Sequence, residues 1–581
     1  RHAALLKQEP PAGVAGLVHD PRRDIGTVFA GQQVEQHEGS LQAGVEVPVP
    51  GDDDVLLELQ EDYARKLLTR HNPYTDSEYR YEPAVFCVEM VNENSVMEGW
   101  LNWRLEGKEV QWPDTWAPIP FSYADELTEQ YNEWLKKNAS AVVIANLRQE
   151  AKVEDGELLP RLKPNQFQQA SQERFRTEAD FYLELEVKFF RRMKKLLREE
   201  LGVKSLLIGS ADHNDSICGY PHIIANSELD IIDGHGYWEH PNLGEQTWIK
   251  NTPMVNDPWD ATVTQFARTP IVGRPFTISE TNHPFPHEYA CEGIPILTAY
   301  ALFHDWDGIY WFTYDRGPTS KASDGIHKNG WFDLSVDPVK MTNIAACASM
   351  WYARDVQPAR QRIVRKMTVD QVMERLRADK GKNRPFYTPG FPRSTPLRFA
   401  TRFEITEHGN GPYPDDCPVD QIISDTGQLR WLNAGQKRGI VAVDTPCTSA
   451  LIGFVRDNDE TTRHLAANVE NGFCSLLLSS LDGKPIAQSA KMILAATAKC
   501  TNSEVKWKED GQTLVQWGTG PTVVEIVRGS VSLRGLQDAN AVTVRPLSPT
   551  GKVANGSLPA QRADDTWKVD LGSVVATWYL I

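Results

Sequence analysis

The pattern of apolar and polar positions divides the chain near residue 356. Before that point, helical periodicity alternates with short, nearly unbroken apolar runs. Asp53–Arg70 has apolar residues at helical spacing behind an acidic first turn, which predicts a helix. Pro83–Val91 is almost continuously apolar, as a strand buried on both faces requires. Residues 94–176 form a long insertion containing Trp and Pro with helical pieces, and Thr177–Leu201 reads as a long amphipathic helix. Four more short strands are predicted at Ser205–Gly209, Leu229–Gly234, Pro275–Ser279 and Gly308–Phe312, with helical segments between them that include Tyr289–Leu302 and Val339–Tyr352. Repeated alternation of this kind predicts an α/β architecture with a parallel barrel of the β/α type.

After residue 356 the periodicity changes. Gly439–Asp444, Ser449–Val455, Phe473–Leu478, Lys491–Thr497, Pro521–Val527, Val542–Pro546, Trp567–Asp570 and Val574–Ile581 are short, β-branched and separated by turn residues. They predict an all-β region of one or two sandwiches. The expected organisation is therefore a barrel domain over 1–355 and β-sandwich structure over 356–581, with a sub-boundary near 485. Residues 1–52 are rich in Gly, Pro and Gln and offer only short candidate strands at Ala15–Val18, Gly26–Ala30 and Val45–Pro48.

Composition narrows the function. Hydrophobic residues at 41% and charged residues at 24% describe a globular chain rather than a disordered one. The net charge of −17 repels phosphate backbones, so a nucleic-acid partner is not expected. No apolar run approaches the roughly 20 residues of a membrane-spanning helix, so a membrane partner is not expected either. The eight cysteines are scattered without a CxxC pair, which argues against a zinc site of ordinary spacing and against a dense disulfide framework. Arg1-His2-Ala3 opens the sequence without Met or a signal-like apolar core, the expectation being a processed or incomplete start. Twelve of the 17 Trp fall between Trp100 and Trp351, so that stretch favours flat aromatic faces.

Four constellations carry candidate chemistry. The first apolar strand ends Asn92-Glu93, at the end of a barrel strand where such folds keep their active sites. The strand before Ser279-Glu280-Thr281-Asn282-His283 delivers a second glutamate in the same way. Two carboxylates at strand ends suit glycoside hydrolysis, in which one is protonated to assist the leaving oxygen and the other is ionised to attack. The alternative is a buried ion pair. His235-Gly236-Tyr237-Trp238 follows an intervening strand, and a Tyr or His beside the attacking carboxylate can hold it ionised. Trp311 ends the last strand, where an aromatic face can stack on a sugar ring or simply fill the core. Asp212-His213-Asn214-Asp215 is the nearest thing to a metal cluster and reads better as a sugar-contacting loop. No metal and no cofactor are expected.

In this order, Asn-Glu, His-x-Tyr-Trp, Ser-Glu and a Trp-ending strand resemble the clan A retaining glycoside hydrolases, the (β/α)8 superfamily that includes family 5 cellulases. The phrases Asn72-Pro73-Tyr74-Thr75, Ser279 to Pro286 and Asp305-Trp306-Asp307-Gly308 look like bacterial cellulase-like members. The resemblance covers roughly residues 53–355. It implies Glu93 as acid/base, Asn92 as a contact of the sugar 2-hydroxyl, Glu280 as nucleophile and Tyr237 as its hydrogen-bond partner. It further implies sugar contacts from His235, Trp238 and Asn282 and a stacking platform at Trp311. Retention requires the carboxyls about 5–5.5 Å apart, against about 6.5–9.5 Å for inversion.

Two features depart from that pattern. If Pro83–Val91 is the fourth strand, three others must precede Asp53, and they are hard to find; the Arg that steadies the nucleophile in the clan has only Arg22 and Arg23 as candidates, by proximity. Either the first strands have diverged or the barrel is incomplete, with about five β/α units. An open barrel exposes strand edges, so a homo-oligomer covering the gap is one expectation. The leading expectation is a secreted or periplasmic enzyme cleaving β-linked glycans, β-1,4-glucan first, acting on oligo- or polysaccharide. The rival is a non-catalytic carbohydrate-binding protein on a degenerate barrel. Trp100, Trp103, Trp112, Trp116 and Trp134 of the insertion either shape the cleft or pack the insertion together.

Overall fold

The structure is a computed structural model that describes residues 28–29, 55–108, 118–154, 156–213, 219–244, 246–316, 321–379, 390–409, 411–537 and 539–581. Ala15–Val18, Val45–Pro48, Arg22, Arg23, Trp112, Trp116, Asn214, Asp215 and Cys218 lie outside the described residues.

The alternating half builds an arc of parallel strands. Val28–Phe29 pairs with Cys87–Glu89, which pairs with Leu206–Ile208. Further along the same run Asp212–His213 pairs with Ile232–Tyr237, then Phe276–Asn282 and Gly308–Trp311 follow in turn. Among the described residues the arc has six parallel strands, the fourth-to-last of them in two pieces, and no hydrogen-bonded closure joins its ends. The described strands thus make up part of a (β/α) barrel, in line with the incomplete alternative. The ring of Phe86, just before Cys87–Glu89, stacks on that of Tyr310 on the last strand with centroids 6.4 Å apart, so side chains meet where no backbone pairing is present among the described residues.

Helices cover the outer face: α1 (Val55–Leu68), α2 (Val96–Leu101), α3 (Phe121–Asn138), α4 (Ala141–Ala151), α5 (Gln172–Lys195), α6 (Gly219–Asn226), α7 (Thr262–Phe266), α8 (Gly293–Phe303) and α9 (Pro338–Ala353). Their starts follow capping chemistry. Ser95, Ser140 and Ser171 each accept a hydrogen bond from the backbone three residues on, and Asp337 caps α9 ahead of Pro338. The insertion folds as α2–α4 against α5. Trp100 is fully buried there among Phe167, Phe175 and Tyr182, and its Nε1 donates to Leu162 O at 2.8 Å. Trp134 donates to Glu184 at 2.7 Å, whereas Trp103 is exposed.

The C-terminal half is β-rich. A parallel pair, Arg362–Met367 with Ala400–Ile405, precedes a nine-stranded sheet that begins at Gln421–Ile423 and ends at Trp578–Leu580 and Arg545–Pro546. A four-stranded sheet from Leu465–Val469, Gly529–Arg534, Thr566–Leu571 and Ala560–Ala563 packs over it. Residue 485 falls between Cys474–Ser480 and Met492–Ser503, which are antiparallel neighbours in one sheet. One apolar core is shared by both halves: Ile278, Tyr300 and Phe303 of the barrel meet Leu429, Trp431 and Val443 of the β region. Trp431, wholly buried, donates to Val255 O at 2.8 Å across that seam. The seven described cysteines are all free thiols. No helix among the described residues is long and apolar enough to cross a membrane.

Candidate active site

Glu93 follows the Cys87–Glu89 strand in the left-handed region, with φ of 43°. Non-glycine residues are costly there and persist only where their surroundings hold them. Three contacts do so. Asn94 N donates to Ser210 Oγ at 3.0 Å, Ser95 Oγ to Glu186 Oε2 at 2.6 Å, and Met97 N to the same Glu186 oxygen at 3.4 Å. Glu186 lies on α5 and also pairs with His222 of α6 at 2.7 Å. Asn226, one turn beyond His222, accepts from Ser210 N at 2.8 Å. A Cβ at Gly209 would stand 2.2 Å from that Asn226 oxygen, so this approach requires glycine.

Glu280 arrives on the Phe276–Asn282 strand, and Tyr237 Oη donates to its Oε2 at 2.5 Å. His235 stands between the two glutamates, fully buried, its Nδ1 2.7 Å from Glu93 Oε1 and 3.8 Å from Glu280 Oε2. Its Nε2 lies 2.7 Å from Ser279 Oγ. The Ser279 hydroxyl donates to Asp233, which also accepts from Thr277. One hydroxyl has one proton to give, so Ser279 must accept from His235 and Nε2 carries hydrogen. One oxygen each of Glu93 and Glu280 and one nitrogen of His235 lie within 4.8 Å of one another. The side chains of Glu93 and Glu280 are 19% and 12% exposed, enough for a ligand to reach them.

A second carboxylate pair sits beneath. Glu89 and Asp233 come within 4.8 Å of each other and of His235. Both Glu89 oxygens are buried without a hydrogen-bond partner among the described residues. Burial and the charges of Asp233, Glu280 and Glu93 push its carboxyl well above the ordinary range against the pull of His235. Burial also raises Asp233. Burial raises Glu280, and the Glu93 charge adds to it, against His235 and Tyr237. Burial acts upward on Glu93 too, but the hydrogen bond and charge of His235 outweigh it and hold this carboxyl down at about 2. Burial alone would lower His235, yet Glu280, Glu93 and Glu89 lift it well above the usual imidazole value. Without ligand, an imidazolium therefore faces an ionised Glu93.

Strand alternation sorts the remaining candidates. His235 and Tyr237 face the site, while Trp238 faces the outer core, its Nε1 on Thr252 O at 2.8 Å. Trp311 likewise packs with Ile309 against the outer core, and Tyr310 and Phe312 take the inner side. Phe312, not Trp311, is the ring beside Tyr237, centroids 6.3 Å apart, and Phe332 lies closer at 4.8 Å. Asn282 spends its amide on Phe312 O at 2.6 Å and Phe332 O at 2.9 Å, fixing those two rings. Asn92 is half-buried next to Glu93. Asp212 accepts from Thr269 at 2.5 Å, and His213 pairs with Glu98 at 2.7 Å. The residues placed to hold a cation among those described are Glu89, Asp233 and His235, or Glu93, His235 and Glu280; both His235 nitrogens already have partners. Glu89, Glu186, His222 and Phe312 carry no sequence signal of a role except, for Glu89 and Phe312, their strand parity with Glu93 and Tyr310.

No family model matches the chain, and no curated protein matches it. Among solved structures, a catalytic mutant of a GH42 beta-galactosidase from G. stearothermophilus aligns at 12% identity over 89% of this chain and 81% of that one, with a TM-score of 0.39. A beta-galactosidase from Bacillus circulans sp. alkalophilus aligns at 10% identity over 89% and 82%, with a TM-score of 0.30. Neither is a family 5 cellulase, and similarity this low is no basis for assigning an activity.

Proposed function

We propose that the protein is a retaining β-glycosidase working by double displacement on an arc of a (β/α) barrel. The observation that carries this reading is the approach of Glu93 and Glu280 to within 4.8 Å, oxygen to oxygen. So close an approach of single oxygens suits a nucleophile with its acid/base, whose carboxyls stand about 5–5.5 Å apart, better than an inverting pair spaced to admit a water. Glu280 attacks the anomeric carbon, with Tyr237 steadying the oxygen that does not attack. Glu93 protonates the leaving oxygen and then deprotonates the water that releases the sugar. In this reading the proton that Glu93 gives is drawn from the His235 imidazolium hydrogen-bonded to it, and His235 and Tyr237 favour the ionised Glu280 against its burial. This chemistry needs no metal. Among neutral sugars, oligo- or polysaccharide with β-linked glucose is the substrate class we favour.

A panel of nitrophenyl β-glycosides with proton NMR of the released sugar tests the reading. Turnover of at least one glycoside with a β-configured first product is expected. Glu280→Gln and Glu93→Ala should each lower turnover by about three orders of magnitude or more while sugar binding survives. Absence of turnover on every glycoside and on glucan would leave a carbohydrate-binding protein instead.

A further inference from the structure

Beyond the dyad, the mouth of the site carries an arrangement that sugar cleavage alone does not require. The segment after the last strand returns alongside residues 331–335: Thr313 N donates to Phe332 O at 3.3 Å, Leu334 N to Thr313 O at 2.9 Å and Ser335 N to Tyr314 O at 2.9 Å. With Asn282 holding both carbonyls, Phe312 and Phe332 stand as a fixed wall next to Tyr237 and Glu280. The Arg316 guanidinium lies over this wall, 4.9 Å from the Phe312 ring centre and 5.1 Å from that of Phe332. Arg316 is exposed, and among the described residues its guanidinium has no hydrogen-bond or ion-pair partner. His240, also exposed, flanks the same Phe332 ring at 5.5 Å and Trp331 at 4.9 Å. The acids nearby are Asp315 and Asp333. Asp333 accepts the backbone N–H of Arg316 at 3.1 Å, and burial raises its carboxyl to about 6.

A chain with net charge −17 thus presents an arginine on an aromatic wall beside its candidate nucleophile. Stacking fixes the plane of a guanidinium and leaves its N–H edge free to grip an oxyanion bidentately. We propose that Arg316 forms an anion-binding rim that selects a glycone carrying a carboxylate or a sulfate. Because the wall adjoins Tyr237 and Glu280, the group recognised belongs to the sugar attacked rather than to the leaving group. This rests on the glycosidase reading for its catalytic arm only.

The test compares nitrophenyl β-glucoside and β-galactoside with the β-glucuronide and the 6-sulfated glycosides, which separate the two sources of anion. An anionic glycone should be favoured at least tenfold in kcat/KM over its neutral parent. The ratio should fall towards one in Arg316→Gln, be partly kept in Arg316→Lys, and shrink as salt is added. A ratio near or below one in the unaltered protein, or one unmoved by Arg316→Gln, overturns the proposal. Calorimetry of the same sugars on Glu280→Gln separates the two readings. Salt-sensitive binding of an anionic sugar that Arg316→Gln abolishes upholds the rim even if nothing is turned over. Equal binding of neutral and anionic sugars refutes it.

Discussion

His235 stands among four carboxylates, Glu89, Glu93, Asp233 and Glu280, with both ring nitrogens engaged. Its imidazolium and Glu93 stabilise each other. The contribution from the lowered Glu93 is present above the ordinary carboxylate range and is lost as pH falls towards about 2. That from the raised His235 is complete below about pH 6.5 and is lost as pH climbs through its folded value. The catalytic proton therefore leaves the pair only above the usual imidazole range. In His235→Gln it sits on a carboxyl alone, so the alkaline limb of kcat/KM should move to lower pH. A pH–rate profile checks this, and an unmoved limb would contradict it. At this scale much was legible: the Asn92-Glu93, His235-x-Tyr237 and Ser279-Glu280 phrases mark residues that meet in space. Trp311 keeps the parity of Ile309 and so packs outward with it, a facing that the identity of a strand-ending Trp does not reveal. Phe312 takes the inner position instead.

At the scale of elements, the left-handed turn at Glu93 is held from behind by α5 and α6. Glu186 contacts Ser95 and Met97, and His222 and Asn226 tie α6 to the same loop. Burial would lower His222, but the charge and hydrogen bond of Glu186 raise it, which favours the contact between them. Removing one charge loosens a turn that has no intrinsic preference for its shape. Glu186→Gln should lower kcat about ten- to a hundredfold with KM nearly unchanged, because small misplacement of a catalytic group is costly. Steady-state kinetics, with Glu186→Asp as the conservative comparison, check this; a rise in KM at constant kcat would assign Glu186 to binding. Sequence periodicity predicted α5 as an amphipathic helix but gave no sign that one of its buried acids reaches the active-site turn. That contact depends on tertiary packing.

For the whole molecule, the alternation before residue 356 and the short strands after it were readable, since each follows local periodicity. The arc was legible only as one of two alternatives, the incomplete barrel suggested by the strand-poor start, because the closure of a sheet depends on pairing between distant segments. The shared core, in which Trp431 reaches back to Val255, was not legible. The two halves should therefore unfold together. Trp431→Ala should cost about 3–5 kcal/mol, with a single thermal transition moving down as a unit. Two separate transitions in calorimetry would show independent domains.

The central claim is covalent catalysis at Glu280, and trapping tests it most directly. The protein is incubated with activated 2-deoxy-2-fluoro-β-glycosides, including the uronide and sulfated forms, then digested and read by mass spectrometry. One glycosyl unit attached to the peptide at Glu280, with time-dependent loss of activity, is the predicted result. A label on Glu93, or no adduct from any sugar that the protein turns over, would contradict it.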